Sequence, residues 1–251
     1  MKRLFLLLAI PLLALTTSCQ QSIHSRLMSY NVRNCTGIDG LHSPERIANI
    51  ITAENVEAVA LQELDSMTMR YPGEDILGKL AELTDMYPTY GASIDFRGGK
   101  YGIGILTKEK PLSWKRIALP CRSEPRSLLI VELEKYYFCS THLSLHAEDR
   151  LTSAEIITKE LSKLDKPVII AGDFNATPEE ESIKYLSHGF HFASSPSKLT
   201  SPADKPQIEI DYIGLLLARA IDIEEIETYV VEAPVESDHR PLVSELKFKK
   251  R

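Results

Sequence analysis

The sequence is poor in the features that mark several classes of protein. It has 4 cysteines and 1 tryptophan among 251 residues, and it contains no internal repeat and no low-complexity tract. With 43% hydrophobic and 25% charged residues, it is neither mostly disordered nor collagen-like. The spacing of the cysteines does not match a zinc site. Three cysteines follow Cys19, namely Cys35, Cys121 and Cys139, and an odd number cannot form a complete disulfide framework.

Basic residues are also too few for a protein that binds nucleic acid along a broad charged surface. The net charge is −6, from 29 Lys and Arg against 35 Asp and Glu. The basic cluster at residues 247–251 is short, and we expect solvent to surround it. Long duplex DNA is therefore disfavoured as the main partner. A bound cation would still allow the chain to act on phosphate.

The N-terminus has the pattern of an export signal. Lys2 and Arg3 precede an apolar run over residues 4–15, which is too short to span a bilayer comfortably and is typical of a signal-peptide core. The run ends in small residues before Cys19, and this pattern resembles the acylation site of bacterial lipoproteins. Thr16 stands where those sites usually have leucine.

This pattern predicts three segments. We expect residues 1–18 to be a signal peptide, residues 19–25 a tether with a lipidated Cys19, and residues 26–251 the functional domain. The protein would then be exported and anchored to a bacterial membrane, on its periplasmic or cell-surface face. A conventional signal peptide that is cleaved nearby is the alternative.

Hydrophobic periodicity predicts a mixed succession of strands and helices. Helices are predicted after Ser43-Pro44, over 75–85, over 148–164 and after Thr177-Pro178. Strands are predicted over 27–32, 57–64, several parts of 90–145, 168–171, 208–215, 226–231 and 242–248. The strands outnumber the helices and fall in two similar halves, which predicts an α/β domain of two packed sheets with helices outside.

Polar side chains that suit metal or proton chemistry recur at the ends of the predicted strands. Strand ends on a rigid sheet are where functional sites are usually built. The residues that share this position are Asn31, Glu63, His142, Asp173 with Asn175, Asp211, and Asp238 with His239. Each is a weak signal alone, because polar residues are common at strand ends, but together they predict one site.

Several of these residues have chemistry that follows from their type. Glu63 offers the carboxylate oxygen that Mg²⁺ prefers. Asp173 and Asn175 would share a face if their segment were extended, and the same residues equally suit an Asx-type turn. His239 titrates near neutral pH, so it is a candidate general base. Arg126 offers a fork of donors for a substrate phosphate, or it is an ordinary surface arginine.

The order and local sequence of these residues resemble the endonuclease/exonuclease/phosphatase superfamily over residues 26–248. The matching stretches are MSYNV, ALQELD, CSTHLS, IIAGDFNATP, IDYI and SDHRPL. The resemblance implies a four-layer α/β/β/α sandwich of two mixed β-sheets flanked by helices. It also implies hydrolysis of a phosphate ester with the help of a divalent cation, which is Mg²⁺ or, as a substitute, Mn²⁺.

The resemblance further implies which residues bind the metal. Glu63 matches the main metal ligand of the superfamily, and Asp238 matches a residue that binds or supports the metal. Asn31 matches an asparagine that contacts metal or phosphate. Asp173, which we include among the metal ligands, matches an aspartate beside the attacking water.

The catalytic roles are implied in the same way. His239 matches the general base, Asp211 the residue that orients it, and Asn175 the asparagine on the phosphate. His142 matches a histidine that assists the leaving group or stabilises charge on the phosphoryl group. That histidine occurs in the deoxyribonuclease, sphingomyelinase and phosphatase branches, so the exonuclease III-like branch is disfavoured.

These expectations favour a monomeric, Mg²⁺-dependent phosphodiesterase or phosphatase that acts on small or lipid-linked substrates. The first alternative is a secreted or periplasmic nuclease that acts on DNA or RNA. The second is a non-catalytic binding protein on the same scaffold, which is disfavoured because Glu63 and His239 are both present.

Overall fold

Two β-sheets hold the apolar strands of the chain. The computed structural model describes residues 22–192, 198–217 and 221–250. Within them the strands are β1 (Ile23–Asn31), β2 (Ala58–Ser66), β3 (Tyr87–Phe96), β4 (Gly99–Thr107), β5 (Ser113–Leu119), β6 (Arg126–Glu132), β7 (Tyr137–His142), β8 (Val168–Asp173), β9 (Phe190–Phe192), β10 (Asp211–Leu216), β11 (Ile221–Val230) and β12 (Leu242–Lys250). The helices are α1 (Pro44–Glu54), α2 (Ile76–Thr84), α3 (Ala147–Leu161) and α4 (Glu181–Ser187).

The two sheets share one pattern of parallel and antiparallel neighbours. The first has the strand order β11-β12-β1-β2-β4-β3, and the second has the order β5-β6-β7-β8-β10-β9. Each sheet is built around one parallel pair, β1 with β2 and β7 with β8, and the other neighbours are antiparallel. A hydrogen bond between Asn31 at the end of β1 and Asp173 at the end of β8 shows that both pairs end at the same edge.

Three apolar clusters define four layers. Along β1, Leu27 packs between the two sheets with Phe138, whereas the next residue, Met28, faces outward against Ile47 of α1. This alternation follows from the two-residue period of a strand. The helices α1 and α2 cover the outer face of the first sheet, while α3 and α4, with Ile157, cover that of the second. The predicted α/β/β/α sandwich is confirmed.

The two helix starts that the sequence marks with proline have different outcomes. Ser43 accepts a hydrogen bond from the Arg46 amide at 3.4 Å, so it caps α1 as predicted. Thr177 instead begins a turn, and α4 starts only after Glu180, which occupies the cap position. The Glu180 carboxylate accepts from the Thr177 amide at 3.2 Å. The predicted short helix is therefore present, and Glu180 makes the bond of a capping-box glutamate, but the predicted start of the helix at Thr177 is wrong, because a turn comes first.

The cysteines and the N-terminus complete the account of the fold. Cys35, Cys121 and Cys139 are free thiols, and Cys35 and Cys139 are buried. Cys19 and the expected signal peptide lie outside the described residues. Among the residues that the structure does describe, no helix has the length and apolar character needed to cross a membrane.

Candidate active site

Polar side chains from both sheets meet at the edge where the parallel strands end. The Nδ2 atom of Asn31 donates to Glu63 Oε1 at 3.1 Å and to Asp173 Oδ2 at 3.0 Å. His142 and His239 approach the same Asp173 oxygen with their Nε2 atoms, at 3.5 and 3.8 Å. Residues that are far apart in sequence therefore surround one carboxylate.

Glu63 reaches this edge through an irregularity in β2. Its φ angle is 61°, and the register of β2 against β4 shifts between Leu61 and Leu64. A left-handed conformation costs about 1–3 kcal/mol for a residue with a side chain, and it persists only when the surrounding structure imposes it. Such bulges redirect side chains next to functional sites, and here the bulge directs Glu63 toward Asn31.

Residues 173–175, where β8 ends, form a turn and not an extended segment. The Asn175 amide donates to Asp173 Oδ1 at 2.9 Å, which is the hydrogen bond of an Asx-type turn. The Asn175 side chain donates to the Leu143 carbonyl at 3.0 Å, so it lies beside the residue that follows His142. Of the two sequence interpretations, the turn is observed, and it brings Asp173 and Asn175 to the same edge.

A buried carboxylate holds the His239 ring. Asp211 Oδ2 lies 2.8 Å from His239 Nδ1, and the Thr200 hydroxyl donates to the same oxygen at 2.5 Å. Burial alone would lower the pKa of His239, but the charge of Asp211, followed by those of Asp173 and Asp238, raises that pKa to about 10. Because an ionised carboxylate only accepts hydrogen bonds, Nδ1 carries a proton and Nε2 faces Asp173.

Burial and like charge raise the pKa values of two carboxyl groups at this edge. Asp173 is 1% exposed, and its burial, followed by the charge of Asp211, raises its pKa to about 7. Burial also raises the pKa of Glu63, and the charge of Asp238 adds to that rise against the hydrogen bond from Asn31. Both negative charges are therefore unfavourable unless a cation is added.

The oxygen donors at this edge fit a hard divalent cation. Glu63 and Asp238 supply carboxylates, and oxygen is the ligand that Mg²⁺ and Mn²⁺ prefer. The Asp238 side chain is 44% exposed, so a cation bound there would retain water. Asn31 presents Nδ2 to the carboxylates, while its Oδ1 accepts from the Arg33 amide at 3.2 Å. The role of Asn31 as a metal ligand therefore stays a prediction.

A second group of side chains also has the geometry of a metal site. Ligand atoms of Asp173, Asp211 and His239 all lie within 4.8 Å of one another. The Asp211–His239 bond already occupies Asp211 Oδ2 and His239 Nδ1, however. Asp211 Oδ1, in contrast, has no hydrogen-bond partner among the described residues. A cation at Glu63 and Asp238 therefore stays a prediction, with this group as the other candidate site.

Arg126 is buried beside His142. It is 8% exposed, its Nη1 atom donates to Glu124 at 2.6 Å, and that atom lies 3.3 Å from His142 Nδ1. Arginine only donates, so His142 accepts at Nδ1 and carries its proton at Nε2. Burial, then Arg126, then His239 lower the pKa of His142 well below its usual value, which keeps the ring neutral. The interpretation of Arg126 as an ordinary surface arginine is wrong.

Two residues of this site are not predicted by the sequence. Thr200 is fully buried and reaches Asp211 from an irregular segment, where no motif marks it. Glu124 lies in the loop before β6 and pairs with Arg126. An acidic residue two positions from a candidate phosphate-binding arginine is the one signal that could have identified Glu124.

Solved structures of other proteins share this fold. An endonuclease/exonuclease/phosphatase from Beutenbergia cavernae superposes with a TM-score of 0.71 at 22% identity, covering 90% of this chain and 72% of its own. A mannosyl-6-phosphatase from Bacteroides thetaiotaomicron has a TM-score of 0.67 at 18% identity, with 88% and 99% covered. The human Nocturnin catalytic domain with bound sulfate has a TM-score of 0.66 at 18% identity, with 92% and 98% covered.

A family profile, and not a single related sequence, identifies the family. No curated protein sequence matches this chain. The profile of the Endonuclease/Exonuclease/phosphatase family matches residues 28–239, a span that contains each site residue from Asn31 to His239. The chain therefore belongs to the endonuclease/exonuclease/phosphatase family, whose members hydrolyse phosphate esters.

Proposed function

We propose that this chain is a divalent-metal-dependent hydrolase of phosphate esters, in which water attacks phosphorus in line with the leaving oxygen. The observation that carries the proposal is the His239–Asp211 pair beside Asp173 and the Asn31–Glu63 pair. These residues supply a base, a group that orients the base, and oxygen ligands for a cation within one small region.

In this proposal His239 takes a proton from the attacking water at Nε2, because Nδ1 is committed to Asp211. Asp173 Oδ2, 3.8 Å from that Nε2 atom, accepts the second hydrogen of the water and orients it. Asp211 stabilises the imidazolium that forms. Glu63 and Asp238 would hold a divalent cation, whose positive charge would neutralise the phosphoryl oxygens and offset the carboxylates that raise the pKa of His239.

The second sheet supplies the groups that face the leaving oxygen. His142 is neutral and carries its proton at Nε2, so it donates a hydrogen bond to a phosphoryl or leaving oxygen. Arg126 holds His142 in this tautomer and adds positive charge behind it. The Asn175 amide, anchored on the Leu143 carbonyl, has a second N–H for the phosphate.

We propose small or lipid-linked phosphate esters as the substrates. The net charge of −6 and the lack of a long basic run favour such substrates over long nucleic acids. A relative in fold is described as a mannosyl-6-phosphatase, which supports sugar phosphates as one class to test. The nuclease and the non-catalytic binding protein remain the two alternatives.

A substrate panel tests the function. It pairs diesters with monoesters and lipid-linked esters with nucleotides, in Mg²⁺ or Mn²⁺, and Glu63→Gln is the blank. The wild type should hydrolyse a small or lipid-linked ester, and His239→Ala should lower kcat by about 10²–10⁴. His188→Ala replaces an exposed histidine and should keep wild-type turnover.

The outcomes of this panel separate the alternatives. Preferential nicking of plasmid or degradation of single-stranded DNA would assign the nuclease function. No hydrolysis of any ester by the wild type would favour the binding protein. A folded His239→Ala variant with near-normal turnover would refute the assignment of the base.

We also propose that acylated Cys19 anchors the exported protein to a membrane. The basic N-terminus, the apolar run over residues 4–15 and the small residues before Cys19 support this. Cys19→Ala should move the protein from the membrane pellet to the soluble fraction and abolish incorporation of a labelled fatty acid. Cys121→Ala is the control and should change neither; a Cys19→Ala variant that still pellets with membranes would contradict the anchor.

A further inference from the structure

A fixed arginine lies in the loop that follows β2. The Nε atom of Arg70 is 3.0 Å from Oδ2 of Asp65, a residue that is 1% exposed. The Thr68 hydroxyl donates to the same oxygen at 2.9 Å and accepts from the Arg70 amide at 3.2 Å. The ion pair with Asp65 therefore positions the Arg70 guanidinium, and Thr68 holds the Arg70 backbone amide, before any ligand binds.

Two aromatic rings contact the Arg70 guanidinium. Its Cζ atom lies 4.8 Å from the centroid of the Phe96 ring and 5.8 Å from that of Tyr101. Arg97, in the turn between β3 and β4, lies 5.3 Å from the same Phe96 ring and adds positive charge. The rings contact the face of the guanidinium and Asp65 engages Nε, so the Nη atoms are left to donate to a ligand. The Arg70 side chain is 31% exposed.

Tyr101 connects this arginine to the catalytic edge. It pairs with Asp65 across β2 and β4, two positions beyond Glu63. Arg70 contacts both members of this pair, through its Nε atom at Asp65 and through its guanidinium at the Tyr101 ring. Arg70 therefore lies next to the strand positions that follow Glu63, beside the catalytic edge.

We propose that Arg70 binds a second phosphate group of the substrate, separate from the phosphate that is hydrolysed. This inference rests on the proposed function and specifies its substrate class. A guanidinium matches phosphate with two parallel hydrogen bonds, and an arginine that is already fixed loses little conformational freedom on binding. The second phosphate belongs either to a small bisphosphate or to the neighbouring nucleotide of a short oligonucleotide.

The test uses ligand pairs that differ by one phosphate. One arm compares a hexose monophosphate with the corresponding hexose bisphosphate, and the other compares a dinucleoside monophosphate with its 5′-phosphorylated form. Calorimetry in Mg²⁺ on the His239→Ala variant measures Kd for each ligand without consuming it. The ligand with two phosphates should bind at least tenfold more tightly in one arm, which identifies the source. Arg70→Gln should reduce that ratio to about one.

Two further variants keep the test interpretable. Arg70→Gln leaves the buried Asp65 without its cation, so Asp65→Asn combined with Arg70→Gln removes both charges and should also give a ratio of about one. Arg26→Gln removes an arginine that pairs with Glu245 near the start of β1, and it should preserve the ratio.

The proposal is overturned if the parent binds both members of every pair equally, or if the ratio survives Arg70→Gln. It is also overturned if Arg26→Gln reduces the ratio as much as Arg70→Gln does. The proposed function fails by a different observation, the absence of hydrolysis by the wild type, which does not affect these binding ratios.

Discussion

A single oxygen atom, Oδ2 of Asp211, fixes the orientation of the proposed base. It lies within hydrogen-bond distance of His239 Nδ1 and of the Thr200 hydroxyl, and both Asp211 and Thr200 are almost fully buried. An imidazole that lost this contact could rotate or change tautomer and would then present the wrong nitrogen to water. Thr200 is therefore a positioning residue, because it holds the carboxylate that holds the base.

Replacement of Thr200 tests this role. We expect Thr200→Val to lower kcat about tenfold, a loss of about 1.4 kcal/mol of transition-state stabilisation, with little change in KM. It should also lower the free energy of unfolding by about 1–3 kcal/mol, because a buried acceptor loses its donor. Thr200→Ser restores the hydroxyl and should recover both. Steady-state kinetics and urea denaturation measure the effects, and a stability loss without a kcat loss would reduce Thr200 to a structural residue.

Among the secondary-structure elements, the starts of α1 and α4 show how similar sequences reach different local structures. Each has a hydroxyl residue directly before proline, at Ser43 and at Thr177. Ser43 caps its helix through the Arg46 amide. The Thr177 amide donates instead to the Glu180 carboxylate, and the chain completes a turn before the helix begins. The two starts therefore differ in position, because Ser43 directly precedes α1 whereas Glu180 is the residue that precedes α4.

This difference predicts unequal effects of two matched substitutions. Ser43→Ala should lower the free energy of unfolding by about 1 kcal/mol, because an amide at the start of α1 loses its acceptor. Thr177→Ala should lower it by less than half as much, since the Thr177 side chain is not a helix cap. Urea denaturation of both variants measures the difference. Equal losses of unfolding free energy in the two variants would contradict a turn at Thr177.

The same elements show which parts of the site the sequence predicts. Asn31, His142 and Asp173 are predictable because each lies at or near the end of a strand that a local group of apolar residues indicates. The bulge that redirects Glu63 is not, because it depends on the register of β4 against β2. Thr200 is not predictable either, since its contact with Asp211 is set by an irregular loop. Local pattern thus predicts strand ends, whereas pairing between distant segments fixes the remaining contacts.

For the molecule as a whole, two sheets with the same pattern of parallel and antiparallel neighbours bring their parallel pairs together at one edge. The acidic groups Glu63, Asp173, Asp211 and Asp238 collect there in a chain that is already acidic. Burial and like charge make this arrangement costly in the absence of a cation. The protein should therefore gain stability from the cation that we propose for catalysis.

Thermal unfolding with and without metal tests this coupling. In EDTA, Glu63→Gln should be at least as stable as the wild type, because burial and Asp238 raise the pKa of Glu63. A raised pKa means that the folded state binds more protons than the unfolded state, so wild-type stability falls relative to the variant as pH rises above the ordinary glutamate pKa. Mg²⁺ at 100 times its Kd should stabilise the wild type by about 2.7 kcal/mol and Glu63→Gln much less. Glu82→Gln, at an exposed position of α2, should respond like the wild type. An equal response of Glu63→Gln would place the cation at the Asp173–Asp211–His239 group instead.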